Sequence, residues 1–291
     1  MSREHDDAHY LHEKRGLSPV LRPPVKNATH LAWDGSGHLL VATADGKVLR
    51  VHPAMGTKVL LEGLQTPAGL GVDGDRFVLV EHGGSWSMYD LKGVRMITAD
   101  HPFEGAVAVQ FRQGKTLLTG LTAGDKQVLF FDSGRKVLRI QLPPRASGFI
   151  SDGHFGLAQS TPHGLEVIYL RDGGRFAGYE VTPHRLVPSG DHILGLHGGG
   201  MKVWTLPDRR EIEVLLPGTT CGALSEDGRL AALGTATGGV ALVDLRRPDF
   251  RANPTVVEAT DAPVRSVAFS GKGRFLATGA DGLILWTWGE R

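Results

Sequence analysis

The sequence holds a single cysteine, Cys221, so no disulfide can form within the chain. That usage fits a reducing compartment. Nowhere do about 18 uncharged apolar residues run together, so no membrane-spanning helix is expected. The opening stretch, MSREHDDAHYLHEKRG, contains no apolar segment, and a secretory signal peptide is not expected there. Net charge is nearly absent as well: 32 basic residues against 31 acidic ones leave +1. No global basic field therefore points to nucleic acid. Catalytic signatures are missing too, with no Gly-x-Ser-x-Gly elbow, no Walker loop and no dinucleotide glycine fingerprint. These absences describe a soluble chain expected in the cytoplasm.

Glycine is abundant instead, at 40 residues, together with 16 prolines. Such a chain is rich in turns, and low helix content follows. The glycines recur in register. Gly37, Gly74, Gly114, Gly153, Gly190, Gly228 and Gly273 each sit in a polar turn after a short apolar run, at intervals of 37, 40, 39, 37, 38 and 45 residues. Seven copies at a period of about 40 residues is the spacing of β-propeller blades. A second strand follows each turn directly, as in HLLVAT, RFVLVE, KTLLTG and RFLATG. A third follows a further turn, as in KVLRVH, QVLFFD and LILWTW. A fourth stands in most copies, as in RMITAD and EIEVLLP. These short runs bounded by Gly, Asp or Pro are strand signals. Their unbroken apolar character suits strands buried on both faces.

The seven copies resemble the WD40 family over about residues 17–291. In that family the third strand ends in Trp-Asp. The matching pairs here are Val51-His52, Tyr89-Asp90, Phe131-Asp132, Ile168-Tyr169, Trp204-Thr205, Val243-Asp244 and Trp286-Thr287, with Asp in three of them. Asp-Gly turns precede the third strand at Asp45-Gly46 and Asp281-Gly282, whereas the Gly-His of the family's repeat start is absent. The resemblance implies an all-β, seven-bladed β-propeller of four-stranded antiparallel blades. The expected blades are 25–62, 66–99, 104–142, 146–182, 185–217, 219–259 and 263–291, within a propeller of 16–291 that follows a polar, flexible tail of 1–15. The last copy lacks a fourth strand, and the segment at 17–22 has no other place. Ser18 to Arg22 are therefore expected to pair with Leu283 to Trp288, closing the ring and covering a bare edge.

Candidate functional residues follow from the ring. Starts of first strands and turns between second and third strands share one face, the top. His30, Glu81, His82, His163, His197 and Arg265 fall there and form the candidate partner-binding rim, since His and Arg are useful donors. Thirteen histidines raise the question of a metal. These positions differ in blade and in depth, so convergence of three or four on one ion is not expected. No cofactor is expected either. The first strands carry no carboxylate, and only Glu104 lies just before one of them, which leaves general acid–base chemistry poorly supplied. His197 to Gly200, HGGG, matches an oxyanion-hole sequence but reads as a turn, with no nucleophile elbow downstream. On the opposite face, Arg209, Arg210, Arg246, Arg247 and Arg251 form a candidate basic docking patch, partly offset by Asp208, Glu211 and Asp249. Trp33, Trp204 and Trp286 read as blade packing.

The resemblance implies a non-enzymatic protein-interaction scaffold, a subunit that is monomeric within a complex of other proteins. Two alternatives stand beside it: a propeller hydrolase or lyase with its site at the channel mouth, and an accessory subunit that touches nucleic acid through the arginine loops.

Overall fold

The computed structural model describes residues 17–34, 36–112, 115–122, 125–142, 146–151, 154–161, 164–169, 175–178, 185–189, 192–197, 199–205, 210–246, 254–271 and 275–288. Among these residues the structure is all-β. It comprises seven four-stranded antiparallel sheets, each a meander that runs outward from the centre. The inner strands are Ala28–Trp33, Pro67–Asp73, Glu104–Arg112, Ala146–Ser151, Arg185–Ser189, Thr219–Leu224 and Ser266–Phe269, here called blades 1 to 7. Blade 1 shows the pattern: Leu39–Thr43, Lys47–His52 and Gly56–Leu61 follow its inner strand in order.

The apolar runs are continuous because each middle strand buries both faces. In blade 1, Leu39, Val41, Leu49 and Val51 enter a cluster with Ala277, Leu283 and Leu285 of blade 7. The alternate residues Leu40, Ala42 and Val48 enter another with Leu70, Phe77 and Leu79 of blade 2. Successive side chains point to opposite faces, so one strand serves two neighbours. The rule repeats around the ring in seven apolar clusters, each drawn from two adjacent blades. Full burial of one such Leu or Val contributes about 1.5–3 kcal/mol. Trp86, Trp204 and Trp286 are fully buried at the 2/3, 4/5 and 6/7 boundaries. Trp33 donates its indole N–H to Ala268 O at 3.0 Å and stacks on Phe275 of blade 7.

The turns obey the chemistry of their residues. Gly37 and Gly74 hold φ of +87° and +58°, a region that a side chain disfavours. Before the first of these turns, the buried carboxylate of Asp34 accepts N–H bonds from Ser36 and His38 at 2.9 and 2.8 Å, and Arg50 reaches it at 2.9 Å. Those donors and the nearby His38 charge outweigh burial and hold the Asp34 pKa below its ordinary value.

Closure occurs where the sequence places it. Ser18–Leu21 completes blade 7 as its outermost strand, beside Leu283–Thr287. Ser18 stands opposite Thr287, Pro19 opposite Trp286 and Leu21 opposite Leu285. Proline lacks the N–H of a ladder and is tolerated on such an edge. Leu17 and Leu21 pack into the clusters on either side of blade 7, and Asn27 N–H bonds Asp281 O at 3.2 Å. Blade 4 gains an outer strand, Arg175–Gly178, that the apolar pattern does not disclose.

Candidate functional site

The top face collects the turns between second and third strands and the starts of the inner strands. Its centre is a cavity of 620 Å³ in the channel. His30 and Arg265, from blades 1 and 7, both line it. His30 Nδ1 lies 3.1 Å from the Thr29 hydroxyl. Arg265 is exposed, with Asp281 at 3.8 Å, a separation at which an exposed pair contributes little.

The other rim candidates occupy separate turns. Glu81 ends the second strand of blade 2, and its carboxylate accepts the Gln65 N–H at 2.9 Å, fastening the connection from blade 1. His82 follows it and is exposed. His197 ends the second strand of blade 5, where its Nδ1 accepts the Gly199 N–H at 3.2 Å and its Nε2 lies 3.6 Å from Glu213. This is the local turn expected of HGGG. Gly200 sits at φ +147°, with no room for a Cβ against Val214 O. His163 lies outside the described residues. The structure thus brings His30 and Arg265 to one cavity and leaves Glu81, His82 and His197 in turns of blades 2 and 5.

Beneath Glu81 lies a histidine that the sequence pattern does not single out. His101 is 6% exposed; its Nδ1 accepts the Phe103 N–H at 3.0 Å, and its Nε2 lies 3.1 Å from Glu81 O. A ring that accepts at one nitrogen and donates at the other is neutral. Burial, against which the carbonyl contacts work, holds its pKa below the ordinary value.

On the opposite face, Arg210 opens the outer strand of blade 5 and is exposed. Arg246 grips Asp244 through Nε at 2.9 Å and Nη2 at 2.8 Å, and that carboxylate raises its pKa. Arg209, Arg247 and Arg251 lie outside the described residues. A 400 Å³ pocket there joins Arg229, Arg246 and Trp288 with Glu226 and Asp227, so acids and bases are mixed.

The cavity lining also includes residues that sequence reasoning passes over: buried Thr119, exposed Leu121 and half-buried Lys126, from the second and third strands of blade 3. The only local sign of this exposure is Gly105 at the start of that blade's inner strand. Among the described residues, no group of three His, Cys, Asp or Glu is placed to hold a metal ion. Nor is any helix among them long and apolar enough to cross a membrane.

A ring of seven four-stranded meanders around a lined channel defines a seven-bladed β-propeller. The family description "WD domain, G-beta repeat" matches residues 254–286, which span the third-to-last strand connection of blade 6 through the third strand of blade 7. The fold is similar to that of the β-propeller domain of Cps50 (Swd1) from Myceliophteria thermophila, at a TM-score of 0.71 and 12% identity, covering 92% of this chain and 99% of that one. No curated protein sequence matches the chain.

Proposed function

We propose that the protein is a non-enzymatic interaction subunit of a multiprotein complex, located in the cytoplasm, which docks partner proteins on its top face. One observation carries this reading. Seven sheets are locked into a closed ring, so polar groups on different blades, such as exposed His82 and Arg265, are held at fixed separations. A rigid face loses little freedom when a partner binds. A stable contact needs about 800 Å² per partner, which one such face can supply. Propellers of the WD40 type act mostly as platforms of this kind. His30, Glu81, His82, His163, His197 and Arg265 are the proposed rim, and the tail expected at 1–15 lies outside the described residues. The nucleic-acid alternative is disfavoured by Arg246, whose charge is already paired with Asp244.

The test is affinity purification from the native host with the wild-type chain and the triple variant His82→Ala, His197→Ala, Arg265→Ala. Loss of at least one stoichiometric partner supports the rim. Retention of every partner overturns it, and measurable turnover in a hydrolase substrate screen overturns the non-enzymatic reading.

A further inference from the structure

Blade 3 carries the longest open edge of the ring. Its outer strand, Arg135–Leu142, runs for 8 residues, whereas the outer strands of the other blades run for 3 to 6. No strand pairs with it on its far side, and among the described residues no other backbone bond reaches it there. In an antiparallel ladder every second residue aims both backbone groups the same way. An edge of this length therefore offers about four residues whose N–H and C=O groups can take a further strand. Such an edge is a template for pairing.

Its charge decides what can pair. The stretch RKVLRIQL holds Arg135, Lys136 and Arg139 and no acid. Every other outer strand carries at most one net charge, of either sign. Arg135 and Lys136 are exposed and make no hydrogen bond or ion pair among the described residues. Arg139 donates its Nε–H to Gln127 Oε1 at 2.7 Å, which steadies the side chain and leaves its charge unopposed. Further cations stand beside the edge. Arg112, Lys115, Asp132 and Arg135 lie opposite one another in a row across the four strands. The acid of that row is already engaged: Asp132 accepts from Lys115 Nζ at 3.1 Å and from the Ser133 hydroxyl at 3.1 Å, and these bonds hold its pKa below the ordinary value. The outer strand of blade 2, Arg95–Asp100, comes close at Gly134, where a Cβ would meet Ile97, and its single cation and single acid offset each other.

The two faces of the edge differ. Arg135, Leu138 and Ile140 stand opposite Asp132, Phe130 and Val128 and share one face. Lys136, Arg139 and Gln141 stand opposite Phe131, Leu129 and Gln127 and share the other. Ile140 packs into the cluster between blades 3 and 4, while Leu138 is 40% exposed. A strand laid along this edge meets mainly apolar surface on one face and cations on the other. That arrangement suits acidic and apolar residues in alternation. A second copy of the chain suits it poorly, since it brings the same three cations to the contact.

We infer that the outer edge of blade 3 binds an extended acidic segment of a partner protein as a fifth strand. Main-chain bonds hold the segment, and Lys136, Arg139 and Arg135 select its charge. The site lies on the side of the ring, apart from the top-face rim, so it stands or falls independently of that rim.

The probe is a blocked octapeptide of alternating Glu and Val, titrated onto the full chain by fluorescence anisotropy. Hydrogen exchange locates it, with added protection expected across Arg135–Leu142. Two control peptides replace every Glu by Lys, or every Val by Pro. Each is expected to bind at least about tenfold more weakly, the first through its charge and the second because proline cannot join a ladder. The double variant Arg135→Glu, Lys136→Glu is expected to weaken the probe by about tenfold or more, whereas Lys58→Glu on the outer strand of blade 1 leaves it unchanged. Circular dichroism checks that both variants fold. The inference is overturned by absence of binding at millimolar probe, by equal binding of the proline peptide, by protection on another strand, or by equal effects of the two charge reversals. It is also overturned if oligothymidylate binds this edge and the probe does not, or if the chain alone dimerises through 135–142.

Discussion

Trp86 of blade 2 meets Phe131 of blade 3 edge to face, with ring centroids 4.7 Å apart and planes at 61°. Neither ring is more than 2% exposed, and the pair fills the wall between two sheets. Trp86→Ala is expected to destabilise the fold by about 3–5 kcal/mol, the usual cost of emptying a buried aromatic site. The indole N–H of Trp86 has no hydrogen-bond partner among the described residues, so Trp86→Phe sacrifices volume alone and costs distinctly less. Urea unfolding of both variants checks the order. Equal losses contradict the packing account.

The seam of blade 7 gives a second expectation. Deleting residues 1–22 removes Ser18–Leu21, bares the edge of Leu283–Thr287, and takes Leu17 and Leu21 out of two clusters. The melting temperature is expected to fall by more than about 5 °C. Calorimetry decides this, and an unchanged melt contradicts closure at that seam.

The neutral ring of His101 links stability to pH. Its folded pKa lies below the ordinary 6.5, chiefly through burial. The unfolded chain therefore binds the proton more readily, so this contribution is complete above pH 6.5 and is lost as pH falls through the folded pKa. His38 shifts in the same direction, through burial and the Arg50 charge. Unfolding free energy is expected to drop between pH 7.5 and 5.5. His101→Gln, which cannot charge, is expected to show a shallower drop over that interval.

Asp34 works in the acid range with its own sign. Its folded pKa lies below 3.8, so the carboxylate stabilises the fold above pH 3.8, and that share is lost as pH falls through the folded value. Asp34→Ala is expected to cost about 2 kcal/mol at pH 7, since it removes charge-assisted bonds to Ser36, His38 and Arg50. The gap between variant and wild type narrows in strong acid, which paired urea titrations at two pH values measure.

The ring was legible because its signals are local. The repeated glycine turns, of which Gly37 and Gly74 adopt the positive φ they suggest, mark every blade. The alternation of Leu39 and Val41 with Leu40 and Ala42 between two clusters was implied by continuous apolar runs. The outer strand of blade 4, Arg175–Gly178, escaped because an outermost strand of four residues needs no apolar run. The blade 3 bulge escaped for a different reason. It is a mismatch between two strands, Glu104 to Ala108 against Leu121 to Thr119, and no single segment records it. Placing His30 and Arg265 together in the channel needed only the blade order. Finding Lys126 in the same lining needed the cross-strand register of blade 3.

The pairing of Ser18 with Thr287 also sets a timetable for biogenesis. As the ribosome delivers the polypeptide, blades can assemble in order, yet the circle cannot shut until Leu283–Thr287 has emerged and met a segment made ahead of all the other strands. Contacts between such distant stretches form late and slowly. A message truncated ahead of Leu283 therefore yields an arc with raw strands at both extremities, and arcs of that kind join to one another rather than remain single.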